Sequence, residues 1–392
     1  MTIEPLTLFL RSRALALKRR IAIGLRGDFN PYPQVPEGVC LSPSLHVGAR
    51  AGRASLNLDW ALTGEGCVEA WRSEARARLR DLLRVPDETG PVSAVCERVM
   101  PVAAGYERRR VYLRFGPGCD APVDIVARAG TPADRPNPAP VVICMQGTNS
   151  GAHLNLGEVR MPADVYKVAR GSALALQAAD NGYVAVSFER ACFGERRERH
   201  LEKRSAGPTV DAAFHSLVLG ETALGQTVAE LEALRRWIGD ELAPGAPVYL
   251  AGYSAAGTAA IAAAAASGDF AGIAVGGCVG MMRDTLLRRG AGGYNEVPDI
   301  LKWFEFDALL ALIAPRPCLV IAGVSDHIWP HSAAETVMAA AGRAWEYQGA
   351  SGSLRLVKAP GGHSYYPELM WPELARLVAA SQTDNKILKP PA

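Results

Sequence analysis

The residues best suited to chemistry lie in the string Val248-Tyr249-Leu250-Ala251-Gly252-Tyr253-Ser254-Ala255-Ala256-Gly257. An apolar run too short for a helix ends in Gly-Tyr-Ser-Ala-Ala-Gly, and small residues at 258–266 follow at once, so the pattern predicts strand, tight turn, helix. Ser254 occupies the turn. Such a turn strains its central residue, which is tolerable only where the positions two before and two after carry little or no side chain. Gly252 and Ala256 meet that need, although Ala256 replaces the second glycine of G-x-S-x-G and Gly257 comes one place late. The Ser254 hydroxyl would then stand clear of the sheet edge, with the Ala255 amide at the positive end of the new helix. This is a nucleophile elbow; the competing reading is an ordinary strand-to-helix turn, and partners elsewhere must decide.

A serine hydroxyl is a poor nucleophile near neutral pH, so it needs a base in hydrogen-bond reach and a third group to orient that base. In a doubly wound sheet both must leave the carboxyl ends of later strands. Two apolar runs end suitably, in Ala322-Gly323-Val324-Ser325-Asp326-His327 and Ala359-Pro360-Gly361-Gly362-His363-Ser364. Asp326 and His363 are the expected acid and base, ahead of the rival acids Glu189, Asp299 and Asp307 and the rival bases His327 and His331. An anionic tetrahedral intermediate needs two amide donors. Ala255 supplies one, and Thr148, in the loop Met145-Gln146-Gly147-Thr148-Asn149-Ser150-Gly151, supplies the other. That loop lacks the Gly-Lys-Ser/Thr of a phosphate cradle. His153 either contacts substrate or is a loop residue bonded to backbone.

The elements that must position these groups begin near residue 140, where buried strands alternate with helices, the texture of a parallel sheet covered on both faces. Strands are expected at 141–145, 183–188, 248–251, 272–278, 318–322 and 354–358. Helices are expected at 163–181, 217–239, 255–267, 301–313, 331–343 and 368–381. Ahead of them, 92–99, 108–114 and 122–127 read as antiparallel edge strands. The reading is therefore an N-terminal helical appendage over 1–90, a catalytic α/β domain over 91–383 and a loosely ordered tail over 384–392. The stretch 279–306 should wall or cover the pocket, with Met281, Met282, Tyr294, Trp303 and Phe304 as apolar contacts or as packing beneath a lid. Trp329, beside the acid, is the stronger candidate for substrate contact.

Charge excludes one class of partner. With 42 basic and 40 acidic residues in 392 and a net charge of +2, no long-range field favours nucleic acid. Eight cysteines without a CxxC pair, and no run of about 18 apolar residues, fit a reduced, cytoplasmic protein without a transmembrane segment. Residues 6–17 are leucine-rich, but Arg11 and Arg13 interrupt them and no small-residue cleavage site follows, so they do not read as a secretory signal. They suit a helix covering its own domain, or a cationic amphipathic helix lying on a membrane surface or a partner subunit. How many copies assemble, a homo-oligomer included, is left open.

Several strings resemble the dienelactone-hydrolase-related and acetyl-xylan-esterase-like branch of the α/β-hydrolase superfamily. Val142-Ile143-Cys144-Met145-Gln146-Gly147, through His153 and Gly157, is similar to the oxyanion loop of that branch. Phe193-Gly194-Glu195-Arg196 resembles its Gly-Phe-Gly-Glu-Arg stretch, with Glu189 and Cys192 as departures, and the run from Asp307 to Pro317 with Asp326-His327-Ile328-Trp329-Pro330 resembles its approach to the catalytic acid. The resemblance covers about residues 60 to 380. It implies an α/β-hydrolase fold, a mostly parallel twisted sheet with antiparallel N-terminal strands. It also implies a serine esterase of small-molecule esters, short acyl esters included, with Ser254, Asp326 and His363 as triad and neither metal nor cofactor. Gln146, where many relatives carry histidine, joins His153, Trp303 and Trp329 as an expected substrate contact. Lactone and carbon-carbon bond hydrolases share the branch, and a binding protein that kept the fold is the reading from a different class.

Overall fold

The computed structural model describes residues 5–27, 29, 31–85, 92–116, 118–131, 138–203, 207–288 and 294–387. The chain divides into two units, Met1–Val47 and Gly48–Ala392. The first holds helix α1 (Pro5–Arg26), whose Leu8, Phe9, Leu15, Leu17 and Ile21 are all exposed. Helix α2 (Pro43–Arg53) runs across the boundary in sequence.

In the second unit helix α3 (Val68–Leu83) precedes a nine-stranded sheet. Its strands are β1 (Ser93–Val99), β2 (Tyr106–Gly116), β3 (Cys119–Arg128), β4 (Val141–Met145), β5 (Val184–Phe188), β6 (Val248–Tyr253), β7 (Gly272–Gly276), β8 (Cys318–Gly323) and β9 (Leu354–Ala359), in the spatial order β1-β2-β3-β5-β4-β6-β7-β8-β9. The pairs β1–β2, β2–β3 and β3–β5 are antiparallel, and every pair from β5 to β9 is parallel. Strands β4 to β8 are buried along their whole length, which is why they read as continuous apolar runs rather than alternating ones. The edge strand β1 is exposed throughout and carries Glu97 and Arg98, charges that discourage pairing with another chain.

Helices cover both faces. Helices α4 (Asp164–Ala169), α5 (Leu174–Asp180), α6 (Pro208–Val218), α7 (Ala223–Trp237), α8 (Ala255–Ala266), α9 (Phe306–Ala311), α10 (His331–Tyr347) and α11 (Pro367–Ile387) complete the set. One core joins the sheet to Leu79 and Leu83 of α3, Leu231 and Leu234 of α7, the alanines of α8, Leu310 of α9 and Val337 of α10. The other joins it to Leu174 and Ala178 of α5 and Trp371 and Leu374 of α11. All twelve residues of α8 are buried, so its alanine run lets the helix lie close on the sheet. The amphipathic stripe of α3 enters the first core, and its Arg76 donates to the carbonyls of Ala265 (3.1 Å) and Leu312 (3.0 Å) at the ends of α8 and α9.

Three expected helices divide; that over 301–313 becomes a 3-10 turn at Ile300–Lys302 and α9, whose start the Glu305 side chain caps by accepting the Phe306 amide. The stretch 163–181 breaks between α4 and α5 at Gly171, which has φ +84° and lies so close to Pro367 that a Cβ would meet the proline ring at 2.7 Å. The stretch 217–239 divides at Gly220 (φ +79°), after which the Thr222 hydroxyl caps α7 by accepting from the Gly225 amide at 2.9 Å. At the chain end α11 runs to Ile387, and residues 388–392 of the expected loose tail lie outside the described residues. Among the described residues no helix is long and apolar enough to cross a membrane, and the eight cysteines are unpaired.

Candidate functional site

Ser254 joins β6 to α8 with φ 56° and ψ −127°, a left-handed backbone that side-chain-bearing residues rarely adopt. The small neighbours make that turn feasible: a Cβ on Gly252 would lie 2.7 Å from the Ala256 carbonyl group, and one on Gly257 would lie 2.5 Å from Cys278 Sγ. Gly252 therefore meets the backbone of Ala256 rather than its methyl group, so alanine suffices there. The Ser254 amide donates to the Gly276 carbonyl at 2.8 Å, tying the turn to β7. Ala255 is the first residue of α8, and its amide has no preceding helical carbonyl to bind.

Asp326 and His363 follow β8 and β9, neighbouring strands, and their loops are pressed together: a Cβ on Gly323 would lie 2.5 Å from the carbonyls of Gly361 and Gly362. Asp326 is buried, its Oδ2 is 2.8 Å from His363 Nδ1, and its Oδ1 accepts the amides of Ile328 (2.7 Å) and Trp329 (2.8 Å). Burial pushes its carboxyl up, but the His363 hydrogen bond and these two amides outweigh burial and hold it below the ordinary carboxylate value. An ionised carboxylate only accepts, so His363 Nδ1 carries the proton and Nε2 offers a lone pair. The ring rests on Tyr253, centroids 5.0 Å apart.

Ser254 and His363 line one cavity of about 170 Å³. No hydrogen bond joins their side chains in this structure; hydrogen bonds of this type are often long without a bound ligand. The loop after β4 supplies a further wall through Gly147, Thr148 and Asn149. It is pressed onto the turn: a Cβ on Gly147 would lie 2.6 Å from the Tyr253 carbonyl and 3.1 Å from Ser254 Cβ. Three residues that spacing gave no sign of, Lys167, Arg170 and Tyr365, line the cavity as well. The first two arrive there through the helix break at Gly171; a glycine at 171 followed by a serine was the available signal.

None of the four expected substrate contacts, Gln146, His153, Trp303 and Trp329, lines this cavity. Gln146 is buried beneath the loop, donating to Asn155 Oδ1 (2.6 Å) and the Ser172 carbonyl (2.8 Å) and accepting from Asn149 (2.8 Å) and Tyr365 (2.5 Å). It fastens the loop rather than lining the cavity. His153 is also buried, with Nε2 donating to Asp164 at 2.8 Å. Trp303 packs under the guanidinium of Arg78, 4.2 Å from its ring centroid, and Trp329 is buried edge-on to Phe306 at 5.9 Å. Of the stretch 279–306, Met282, Tyr294 and Phe304 are core residues, and no described residue of it lines this cavity.

The rival acids are engaged away from the imidazole. Glu189 accepts the Ala152 amide at 3.0 Å on both oxygens and the Glu195 amide at 3.4 Å; burial, more than the neighbouring Glu195 charge, pushes its carboxyl up to about 7 despite those amides. Asp307 caps Ala308, and Asp299 pairs with Lys302 at 2.7 Å.

A family model described as the Abhydrolase family matches residues 52–255. A protein named as a hydrolase, YtaP of Bacillus subtilis (strain 168), is 33% identical over 72 residues, 18% of this chain, and the chain spans about a quarter (24%) of that relative's length. A Bacteroides fragilis protein named as an acetyl xylan esterase superposes with a TM-score of 0.64 at 16% identity, over 87% of this chain and 86% of that one. A CE15 glucuronoyl esterase from Teredinibacter turnerae superposes with a TM-score of 0.56 at 15% identity, over 94% of this chain and 99% of that one. What such identities share is the fold.

Proposed function

The chain belongs to the Abhydrolase family, and from that premise we propose that it hydrolyses carboxylic esters through an acyl-enzyme on Ser254. The observation that carries this reading is the convergence at one cavity of a strained serine at a helix start and an imidazole whose far nitrogen faces a buried, ionised carboxylate. In the proposed cycle His363 Nε2 takes the Ser254 proton as Oγ attacks the ester carbonyl. The amides of Ala255 and Thr148 hold the resulting oxyanion. Asp326 fixes the imidazole tautomer and favours the imidazolium that forms. His363 then protonates the leaving alcohol, and water, deprotonated by the same ring, releases the acid.

A cavity of about 170 Å³ supports a short acyl group at the serine, below the several hundred Å³ typical of drug-sized ligands. The fold neighbours named as esterases accord with this reading but carry the fold alone. A panel of 4-nitrophenyl esters of increasing acyl length tests it. Turnover should be greatest for acetate and propionate and should depend on Ser254; Ser254→Ala protein as active as the parent would overturn the mechanism.

A further inference from the structure

We infer that Lys167 and Arg170 are an anion-reading wall of this pocket, and that the substrate is an ester bearing a carboxylate or other oxyanion close to its scissile bond. This rests on the ester-hydrolase reading of the same site. Three residues apart at the end of α4, the two side chains share one side of the helix, and both line the cavity that holds Ser254 and His363. The Gly171 turn, seated against Pro367, fixes the approach of that helix end.

Charge around the pocket is unbalanced. None of its ten lining residues is Asp or Glu. Neither the half-buried Lys167 nor the exposed Arg170 makes an ion pair among the described residues, whereas Arg80, for example, pairs with Glu232 at 2.5 Å. The acid nearest in sequence is Asp164, on the same helix. Its carboxylate is already engaged by the Ser150 hydroxyl, His153 Nε2 (2.8 Å) and the amides of Arg160 (3.0 Å) and Met161 (2.8 Å). Lys167 is half-buried, and burial lowers its ammonium below the ordinary lysine value while the Asp164 charge only partly opposes this. A half-desolvated ammonium without a carboxylate partner is costly for the free protein and is relieved by an anion from outside. Ser364 adds a hydroxyl to the same lining. The reacting carbonyl must sit at Ser254, so the anion falls elsewhere on the substrate.

The test uses matched ester pairs that differ by one charge. The pairs are 3-acetoxybenzoate against its methyl ester, with the charge on the alcohol side, and 4-nitrophenyl hydrogen glutarate against its methyl ester, with the charge on the acyl side. For at least one pair the parent protein should favour the anion by tenfold or more in kcat/KM at low ionic strength, and added salt should erode that preference. In Lys167→Ala, Arg170→Ala and the double variant the anion-to-neutral ratio should fall stepwise towards one. Equal losses on both members of a pair would mean a structural role for the helix end and would overturn the inference, as would a parent that prefers neither anion. A second readout separates this from the catalytic reading: calorimetric binding of 3-acetoxybenzoate and hydrogen glutarate to Ser254→Ala protein, with and without the double substitution. Charge-dependent binding without Ser254-dependent hydrolysis would sink the esterase reading and keep the anion wall; Ser254-dependent hydrolysis without charge preference would do the reverse.

Discussion

Two clusters among the described residues combine a serine, a histidine and an aspartate. In one, His363 lies 2.8 Å from Asp326 beside Ser254; in the other, His153 lies 2.8 Å from Asp164 beside Ser150. Residue types and the histidine-to-aspartate distance agree, but His153 meets Asp164 through Nε2 and Ser150 binds Asp164 directly, whereas His363 meets Asp326 through Nδ1. Their surroundings separate them. The His153 and Asp164 side chains are 5% and 0% exposed, and Asp164 holds four donors at once. Burial pushes the Asp164 carboxyl up, and the Ser150 and His153 hydrogen bonds with two amides more than reverse it. This cluster is a closed knot that anchors the start of α4 to the loop after β4. At the other cluster the His363 side chain is 18% exposed, Ser254 lines a cavity, and Ala255 begins α8 beside it. Chemistry at a site depends on unfilled hydrogen-bonding capacity as much as on which side chains meet.

That contrast can be broken most forcefully at the serines. Ser254→Ala should lower kcat/KM on 4-nitrophenyl acetate by roughly three or more orders of magnitude, while Ser150→Ala should cost less than about tenfold. Steady-state rates of the two variants, with circular dichroism as a check on folding, decide it; equal losses would erase the distinction. Next come the carboxylates. Asp326→Asn should cost roughly 10²–10⁴ in turnover, because the imidazole loses its acceptor and its tautomer. Asp164→Asn should do the opposite, losing about 3 kcal/mol in a urea unfolding curve because buried donors are left mispaired, with activity per folded molecule largely retained.

The last comparison is of pH dependence. Asp164 and Asp326 are both held below the ordinary carboxylate value. The folded protein therefore binds their protons more weakly than the unfolded chain does, so their stabilisation is complete above about pH 4 and is lost as pH falls through their depressed values. Glu189, which braces the Ala152 amide between Ser150 and His153, has the opposite sign: its carboxyl is raised from 4.5 to about 7, chiefly by burial. Its contribution is full below the lower value and is lost as pH rises through the higher one, amounting to about 3 kcal/mol by pH 8. Unfolding free energies from pH 4 to 8 should decline in the parent and stay flatter in Glu189→Gln; parallel curves would reject the assignment.

What was legible in the chain follows from the range of the forces involved. The elbow is a local steric problem, so Gly252 and Ser254 reveal it within a few residues. Asp326 and His363 each follow an apolar run at a glycine turn, and strand ends of a parallel sheet gather at one rim. Whether a polar side chain faces a cavity or a loop depends on partners far along the chain. Gln146 meets Tyr365 and His153 meets Asp164, so both look like substrate contacts until those partners are known. The same holds for Trp329, whose place beside the acid turns out to be a packing position against Phe306. Lys167 and Arg170 were hidden by a break in α-helix at Gly171 that only its contact with Pro367 makes necessary.

Mapping the site of covalent attachment of a fluorophosphonate by peptide mass spectrometry, on the full chain with and without His363→Ala, puts the question to both clusters at once. A label on Ser254 that is lost with His363→Ala, and no label on Ser150, is the predicted result; a label on Ser150, or labelling of Ser254 indifferent to His363, would contradict the account.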